Sequence, residues 1–206
     1  MRLRYASRRE FLLLAGGITA MGAEKVKDRG GPVIVLAGRR VDAPDASVPR
    51  FPAANRAVVQ SRLRQLFVRQ KPVALVCAAA CGADLIALQT AGELGIERHI
   101  ILPSPAEVFK RTSVVDRPGD WGEVFDAVIK EVGKVEVSDV PDGQAGYLET
   151  NLKLLDRAQS LAATKRRKVA AVVVWDGKSR GDDDVTGHLK AQAESRGIPV
   201  SVVLTM

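Results

Sequence analysis

The stretch VALVCAAACGADLIALQTAGELGIERHIILP, residues 73–103, decides the fold. It opens with an apolar run, Val73 to Cys77, set off by Pro72 and short enough for a strand buried on both faces. Small residues follow, Ala78, Ala79, Ala80 and Gly82, then Asp84 and an amphipathic segment to Leu94. Gly95 stops that segment, and a second apolar run, His99 to Leu102, ends at Pro103. Strand, small-residue loop, helix, glycine stop and strand make a βαβ unit, the building block of a parallel sheet with right-handed crossovers.

The loop of this unit invites a ligand. At a strand-to-helix turn, free backbone N–H groups and the positive helix end face outward beyond the carboxyl edge of the sheet, where they attract anions. Ala79, Gly82 and Ala83 let a ligand approach the main chain closely. The same small residues also permit tight helix-on-sheet packing, with Asp84 answering the helix dipole. Asp84 repels phosphate, so ribose hydroxyls or plain capping suit it better.

Outward from this unit the chain keeps alternating. Val33 to Ala37 is a buried strand, with Gly38-Arg39-Arg40 at its carboxyl end, where ligands gather in open α/β sheets. Arg39 and Arg40 are either phosphate contacts or solvated loop arginines. Asp42 to Pro52 is a long irregular loop, a length that leans towards function. Ala53 to Arg69 reads as a helix with an apolar stripe through Val59, Leu63, Leu66 and Phe67. Pro105 to Thr112 and Trp121 to Val132 are further helices, and Val135 to Val137 is a short strand. Tyr147 to Ala163 is a clear helix with Leu148, Leu152, Leu155, Ala158 and Ala162 along one face. Val169 to Val174 and Val200 to Leu204 are strands, separated by a polar loop and a helix through Glu194. The expected fold is α/β, a Rossmann-like doubly wound and mainly parallel sheet of five or six strands with helices on both faces.

Composition narrows the function. The formal charge is +7, but residues 1–30 carry +4 and Lys165–Lys168 another +4, leaving the rest at −1. A broad polyanion-binding face is therefore not indicated, and the basic run at 165–168 is explained by the carboxyl end of the preceding helix. Aromatic content of 4% also argues against base-stacking platforms for single-stranded nucleic acid. Cys77 and Cys81 lack a second ligand pair, and His99 and His188 follow no zinc spacing, so no metal is expected. The thiols read as small apolar fillers. No apolar run reaches the length of an ordinary transmembrane helix.

The amino terminus stands apart. Residues 1–30 form either a basic arm or an export signal of the twin-arginine kind, Ser7-Arg8-Arg9-Glu10-Phe11-Leu12, followed by a moderately apolar stretch and small residues near Ala20. Cytoplasmic location and export both stay open, and the domain proper is expected over 31–206.

AAACGADLIALQTAGELGI, followed by a strand ending in Leu-Pro, resembles the SLOG superfamily of nucleotide-sensing Rossmann-like domains, related to DNA-processing protein A and the LOG proteins. Bacterial SLOG domains begin with a G-[HR]-x-x-D-x-P element and a downstream P-R-F-P, matched by Gly38, Arg39, Asp42 and Pro44 and by Pro49-Arg50-Phe51-Pro52. Phe109-Lys110-Arg111-Thr112-Ser113-Val114 with Trp121 matches another element, and Asn151 corresponds to a helical Asn common in the family. Trp175-Asp176-Gly177, Thr186 and Gly197-Ile198-Pro199-Val200 resemble its second ligand-contacting half. There the family commonly has Gly-Gly-Thr, whereas this chain has Asp184-Val185-Thr186, a departure that narrows backbone access.

The resemblance implies a non-catalytic module that binds a nucleotide or nucleotide-derived ligand, such as ADP-ribose or NAD, and signals to a partner protein or through a homo-oligomer. Its implied contacts are Gly38, Arg39, Asp42, Ala79, Gly82, Ala83, Asp84, Ser113, Asp176, Gly177 and Thr186. Ser113 serves either a ligand phosphate or a helix end. Thr186 suits a phosphate and Asp176 a ribose. Two alternatives stand beside this reading. A LOG-type nucleoside-phosphate N-glycosidase would need a P-G-G-x-G-T-x-x-E element, which is absent. Single-stranded DNA binding would need the basic, aromatic groove that the composition lacks. No catalytic residue and no resident cofactor is assigned.

Overall fold

The computed structural model describes residues 30–138, 140–141 and 143–206, with Asp182 by its backbone alone. The basic arm and the twin-arginine-like segment lie outside the described residues. Among the described residues there are six strands and six α-helices, alternating except where two helices follow one another before the fourth strand. Strand β1 (Val33–Gly38) leads through α1 (Arg56–Gln70) to β2 (Ala74–Cys77), and α2 (Ala83–Glu93) leads to β3 (Glu97–Leu102). Helices α3 (Ala106–Ser113) and α4 (Trp121–Val132) precede β4 (Val135–Val137). The long helix α5 (Gln144–Lys165) returns to β5 (Val169–Trp175), and α6 (Val185–Ser195) connects to β6 (Val200–Leu204).

All strand pairs are parallel, in the order β4-β3-β2-β1-β5-β6. The chain thus builds outward from β1 in one direction, then crosses back and builds in the other. That reversal makes the fold Rossmann-like and doubly wound, and it leaves a switch point between β1 and β5.

The strand residues sort onto two cores with period two. Ile34, Leu36, Leu75, Cys77, Ile100, Leu102, Val172 and Val174 face the layer of α1 to α4. Val33, Val35, Ala74, Val76, Ile101, Ala171 and Val173 face α5 and α6. A strand covered on both faces needs apolar side chains at every position, which is why β1, β2 and β5 read as unbroken apolar runs.

Helix α2 is not amphipathic, contrary to the expectation. Ala83 to Leu88, Thr90 and Ala91 are all buried, because α1 and α4 flank the helix while the sheet lies beneath it. Its one buried hydroxyl, Thr90 Oγ1, is satisfied by Ile86 O at 2.8 Å. The inward stripe of α5 is also displaced, running through Asn151, Leu154, Leu155, Ala158 and Ala162, while Leu148 and Leu152 are half-buried. The displacement turns two polar residues, Thr150 and Asn151, towards the carboxyl edge of the sheet.

Candidate functional site

Three loops leave the carboxyl ends of β1, β2 and β5 at the switch point. Together with α3, α5 and the first turn of α6 they enclose a cavity of about 500 Å³. Gly38, Arg39, Asp42, Asp84, Ser113 and Thr186 line it. The two halves of the expected site therefore share one rim and one cleft, with Ala80 and Asp84 on one side and Val185 and Thr186 on the other. Ala79, Gly82, Ala83, Asp176 and Gly177 are not among the lining residues.

The glycines and alanines serve packing. A Cβ on Gly38 would come within 2.3 Å of Ala83 Cβ, so the pair sets how closely α2 approaches β1. Gly82 has φ of +90°, and a Cβ there would meet Arg39 O and Val41 N at 2.8 Å. The first helical amide is also spent, since Ala83 N donates to Arg39 O at 3.1 Å. Ala79 lies in the core. The loop after β2 is thus clamped to the loop after β1, and it does not present a bare anion nest.

Arg39 is likewise a tie. Its Nε donates to Asp176 Oδ1 at 3.3 Å, Nη1 to Asp184 Oδ1 at 2.5 Å, and Nη2 to Asp184 Oδ2 at 3.0 Å and Lys178 O at 2.7 Å. Four of five guanidinium donors are consumed, and the group lies 5.7 Å from the Trp175 ring centre. Asp176 accepts on its other oxygen from Arg50 Nη1 at 2.9 Å, so both oxygens are already engaged within the protein. Gly177, with φ of +81°, turns towards Leu204. Asp184 caps α6 through Gly187 N at 3.0 Å and also takes Arg180 N at 2.9 Å. Burial pushes its carboxyl up, but the bonds from Arg39, Gly187 and Arg180 outweigh this and hold it below the ordinary value.

Asp42 closes the neck of the 42–52 loop. Its Oδ2 accepts from the amides of Arg50 and Phe51, each at 3.0 Å, and its own amide donates to Phe51 O at 2.9 Å. Thr205 Oγ1 fastens the same neck by donating to Arg50 O. Phe51 is fully buried beneath it, while the tip, Ala46 to Val48, lies exposed along the cavity mouth.

The polar groups that remain for a ligand are few and distinct. Ser113 Oγ and Tyr147 Oη share a hydrogen bond of 2.9 Å, so Ser113 does not cap its helix. Thr186 is buried at the first turn of α6. Asn151 is buried beside it, donating to Val185 O at 2.8 Å and meeting His188 Nδ1 at 3.3 Å. Burial lowers the His188 pKa. At the rim, Asp116 bridges Arg40 and Arg117, at 2.7 and 2.6 Å, leaving that trio with one net positive charge. Arg180 also lines the cavity. Arg117, Tyr147 and Thr150 went unnoticed in the sequence; the only signal was a polar Thr150-Asn151 pair within an apolar helix face.

Asp84 is the exception among the charges. Its residue is 6% exposed, Oδ2 accepts only from Ala80 N at 3.3 Å, and Oδ1 has no hydrogen-bond partner. Burial raises its pKa to about 7, outweighing the amides of Ala80 and Gly38, which pull the other way. The two thiols below are inert: burial pushes Cys77 up, and it pushes Cys81 up to about 12. Among the described residues no three His, Cys, Asp or Glu side chains group as a metal site.

No family model matches the chain, and no curated protein matches it. Among solved structures it is similar to DNA processing protein A (DprA) from Streptococcus pneumoniae, at 15% identity and a TM-score of 0.33, over 84% of this chain and 59% of that one. It is also similar to the Moco carrier protein from Chlamydomonas reinhardtii, at 16% identity and a TM-score of 0.31, over 84% of this chain and 88% of that one. The Rossmann-like class rests on the strand order itself. No described helix is long and apolar enough to cross a membrane.

Proposed function

We propose that the chain is a binding module for a phosphorylated, nucleotide-derived ligand of the ADP-ribose or NAD kind, and that it senses this ligand without transforming it. The carrying observation is the cleft of about 500 Å³ at the switch point of the parallel sheet, in the size range of small-molecule sites. Its interior carries hydroxyl and amide groups beside the carboxyl of Asp84, and its rim carries the Arg40–Asp116–Arg117 trio and Arg180. That polarity suits a molecule with a sugar at one end and phosphate at the other. The 42–52 loop across the mouth gives a partner protein, or a second copy, a surface whose state depends on occupancy.

Calorimetry and thermal melting with ADP-ribose, NAD and AMP test the reading. A rise in melting temperature with at least one of them, absent with inorganic phosphate alone, is expected. No response to any of the three at millimolar concentration overturns it. One observation favours a second, catalytic reading: Asp84 is a buried carboxyl in the cleft that titrates near neutrality. Release of free base from AMP, abolished in Asp84→Asn, would establish an N-glycosidase instead.

A further inference from the structure

Four buried side-chain polar atoms lack a partner among the described residues: Gln70 Oε1, Ser138 Oγ, Trp175 Nε1 and Asp84 Oδ1. Only Asp84 also lines the cavity. A buried acceptor left unmade costs folding free energy, and a carboxylate costs more than a neutral group. Among the described residues no donor hydrogen-bonds Oδ1, although the Gly38 amide lies near enough to lower the carboxyl pKa somewhat. The Ala80 amide is on Oδ2, the Ala83 amide on Arg39 O, and the Cys81 amide on Ser113 O. A donor for Oδ1 therefore has to arrive with whatever fills the cleft.

The chemistry of that donor follows from the surroundings. A phosphate oxygen has no hydrogen to give at neutral pH and is repelled by a carboxylate. A metal ion would need further ligands, and no cluster of them stands here. An ammonium would call for a second carboxylate or an aromatic cage, whereas the neighbouring floor offers the Ser113–Tyr147 hydroxyl pair, Thr186 and Asn151. These neutral groups both give and take hydrogen bonds, as a polyol does.

Resting on the binding reading above, we infer that Asp84 Oδ1 accepts a hydrogen bond from a sugar hydroxyl of the ligand, so that the cleft selects ribosylated over deoxygenated molecules. Arg40, Arg117 and Arg180 then face the phosphorylated end. Asp84 sets specificity, and the arginines set affinity for charge.

The test compares AMP with 2′,3′-dideoxy-AMP by calorimetry on the full chain, first wild type and then Asp84→Asn. Wild type should bind AMP about 10- to 100-fold more tightly than the dideoxy compound, the worth of a hydrogen bond to a charged acceptor. Asp84→Asn should bring the two within a few-fold of each other. Equal binding of both compounds by wild type overturns the inference without any variant, and leaves the binding reading intact. Unchanged discrimination in a folded Asp84→Asn also overturns it. Failure of AMP, NAD and ADP-ribose to bind at all overturns the binding reading, and this inference with it. Tighter binding of an amino-sugar analogue than of AMP would assign Oδ1 to an ammonium and overturn the hydroxyl assignment.

Discussion

Arg39 and Asp84 sit at the same carboxyl edge of the sheet and are almost equally buried, at 4% and 6% exposure. Their partners could hardly differ more. Arg39 spends four donors on Asp176, Asp184 and Lys178 O, joining the loop after β1 to the loop after β5. Asp84 has one long bond and an oxygen with none. Burial by itself therefore does not distinguish a charge committed to the fold from one left with an open oxygen, whereas an account of partners does. The paired charge holds the rim together, and the unpaired one is the group that the proposed ligand would engage.

The comparison breaks most readily at Arg39. Arg39→Met leaves Asp184 and part of Asp176 buried without a countercharge, which should cost about 3–5 kcal/mol in denaturant unfolding. Arg39→Lys should recover little of this, since an ammonium has three donors on one atom and cannot reproduce the planar fork that serves four acceptor atoms. The Asp184 carboxyl is held below its ordinary value in the folded protein. Its contribution is thus present above the unfolded carboxyl pKa, about 4, and is lost as pH falls through the lower folded value. The Arg39→Met penalty should accordingly shrink in acid. A loss under about 1 kcal/mol at pH 7 would show that the network is not structural.

Asp84→Asn should move stability the other way. The folded pKa of about 7 lies above the unfolded one, so the protonated form is favoured in the folded state. Its own contribution to stability is therefore full below about pH 4 and is lost as pH rises from there through about 7. An amide mimics the protonated acid, so ligand-free Asp84→Asn should be more stable than wild type at pH 8, by at most about 4 kcal/mol. The gain should vanish near pH 4. Melting curves at pH 5 and pH 8 decide this, and a destabilised variant at pH 8 would mean that Oδ1 has a partner after all.

A smaller effect separates clash from backbone strain. Gly82 and Gly133 both have positive φ, +90° and +74°, but a Cβ meets backbone atoms at 2.8 Å only at Gly82. Gly133→Ala should cost about 1 kcal/mol, from conformation alone. Gly82→Ala should cost more, about 2–3 kcal/mol, and should push the loops after β1 and β2 apart. Equal costs at the two sites would show that this contact yields easily.

Much of the fold was legible in the sequence because a doubly covered parallel sheet writes its strands as unbroken apolar runs. Val33 to Ala37, Val169 to Val174 and the stripe Val59, Leu63, Leu66 and Phe67 fall where expected. The character of α2 was not, since a helix flanked by two others loses its polar face, and which helices flank it is a tertiary fact. The candidate site was legible only as a region. Arg39, Asp176 and Asp84 all occur at strand ends and look alike as letters. Whether a guanidinium is already committed to carboxylates more than a hundred residues away cannot be seen along the chain. Asn151 shows the converse: an apparently superficial helical Asn is buried, where it steadies the first turn of α6.

The mildest test sharpens the contrast at the rim. The Arg180 guanidinium makes no hydrogen bond or ion pair among the described residues, although its own amide supports Asp184. It is exposed and lines the cavity. Removing it in Arg180→Ala leaves no buried charge behind, so the melting temperature of the ligand-free protein should not change, in contrast to Arg39→Met. Its effect should fall on phosphorylated ligands alone. At low salt the affinity for ADP-ribose should drop several-fold, while that for adenosine stays the same. Exposed charges act through water, and the screening length contracts from about 10 Å at 0.1 M to about 3 Å at 1 M salt. The difference between wild type and Arg180→Ala should therefore fade as salt is raised, whereas the hydroxyl discrimination assigned to buried Asp84 should persist. A salt-independent loss in Arg180→Ala would place this arginine in direct, desolvated contact with the ligand, and would move the phosphate end from the rim to the β5–α6 wall of the cleft.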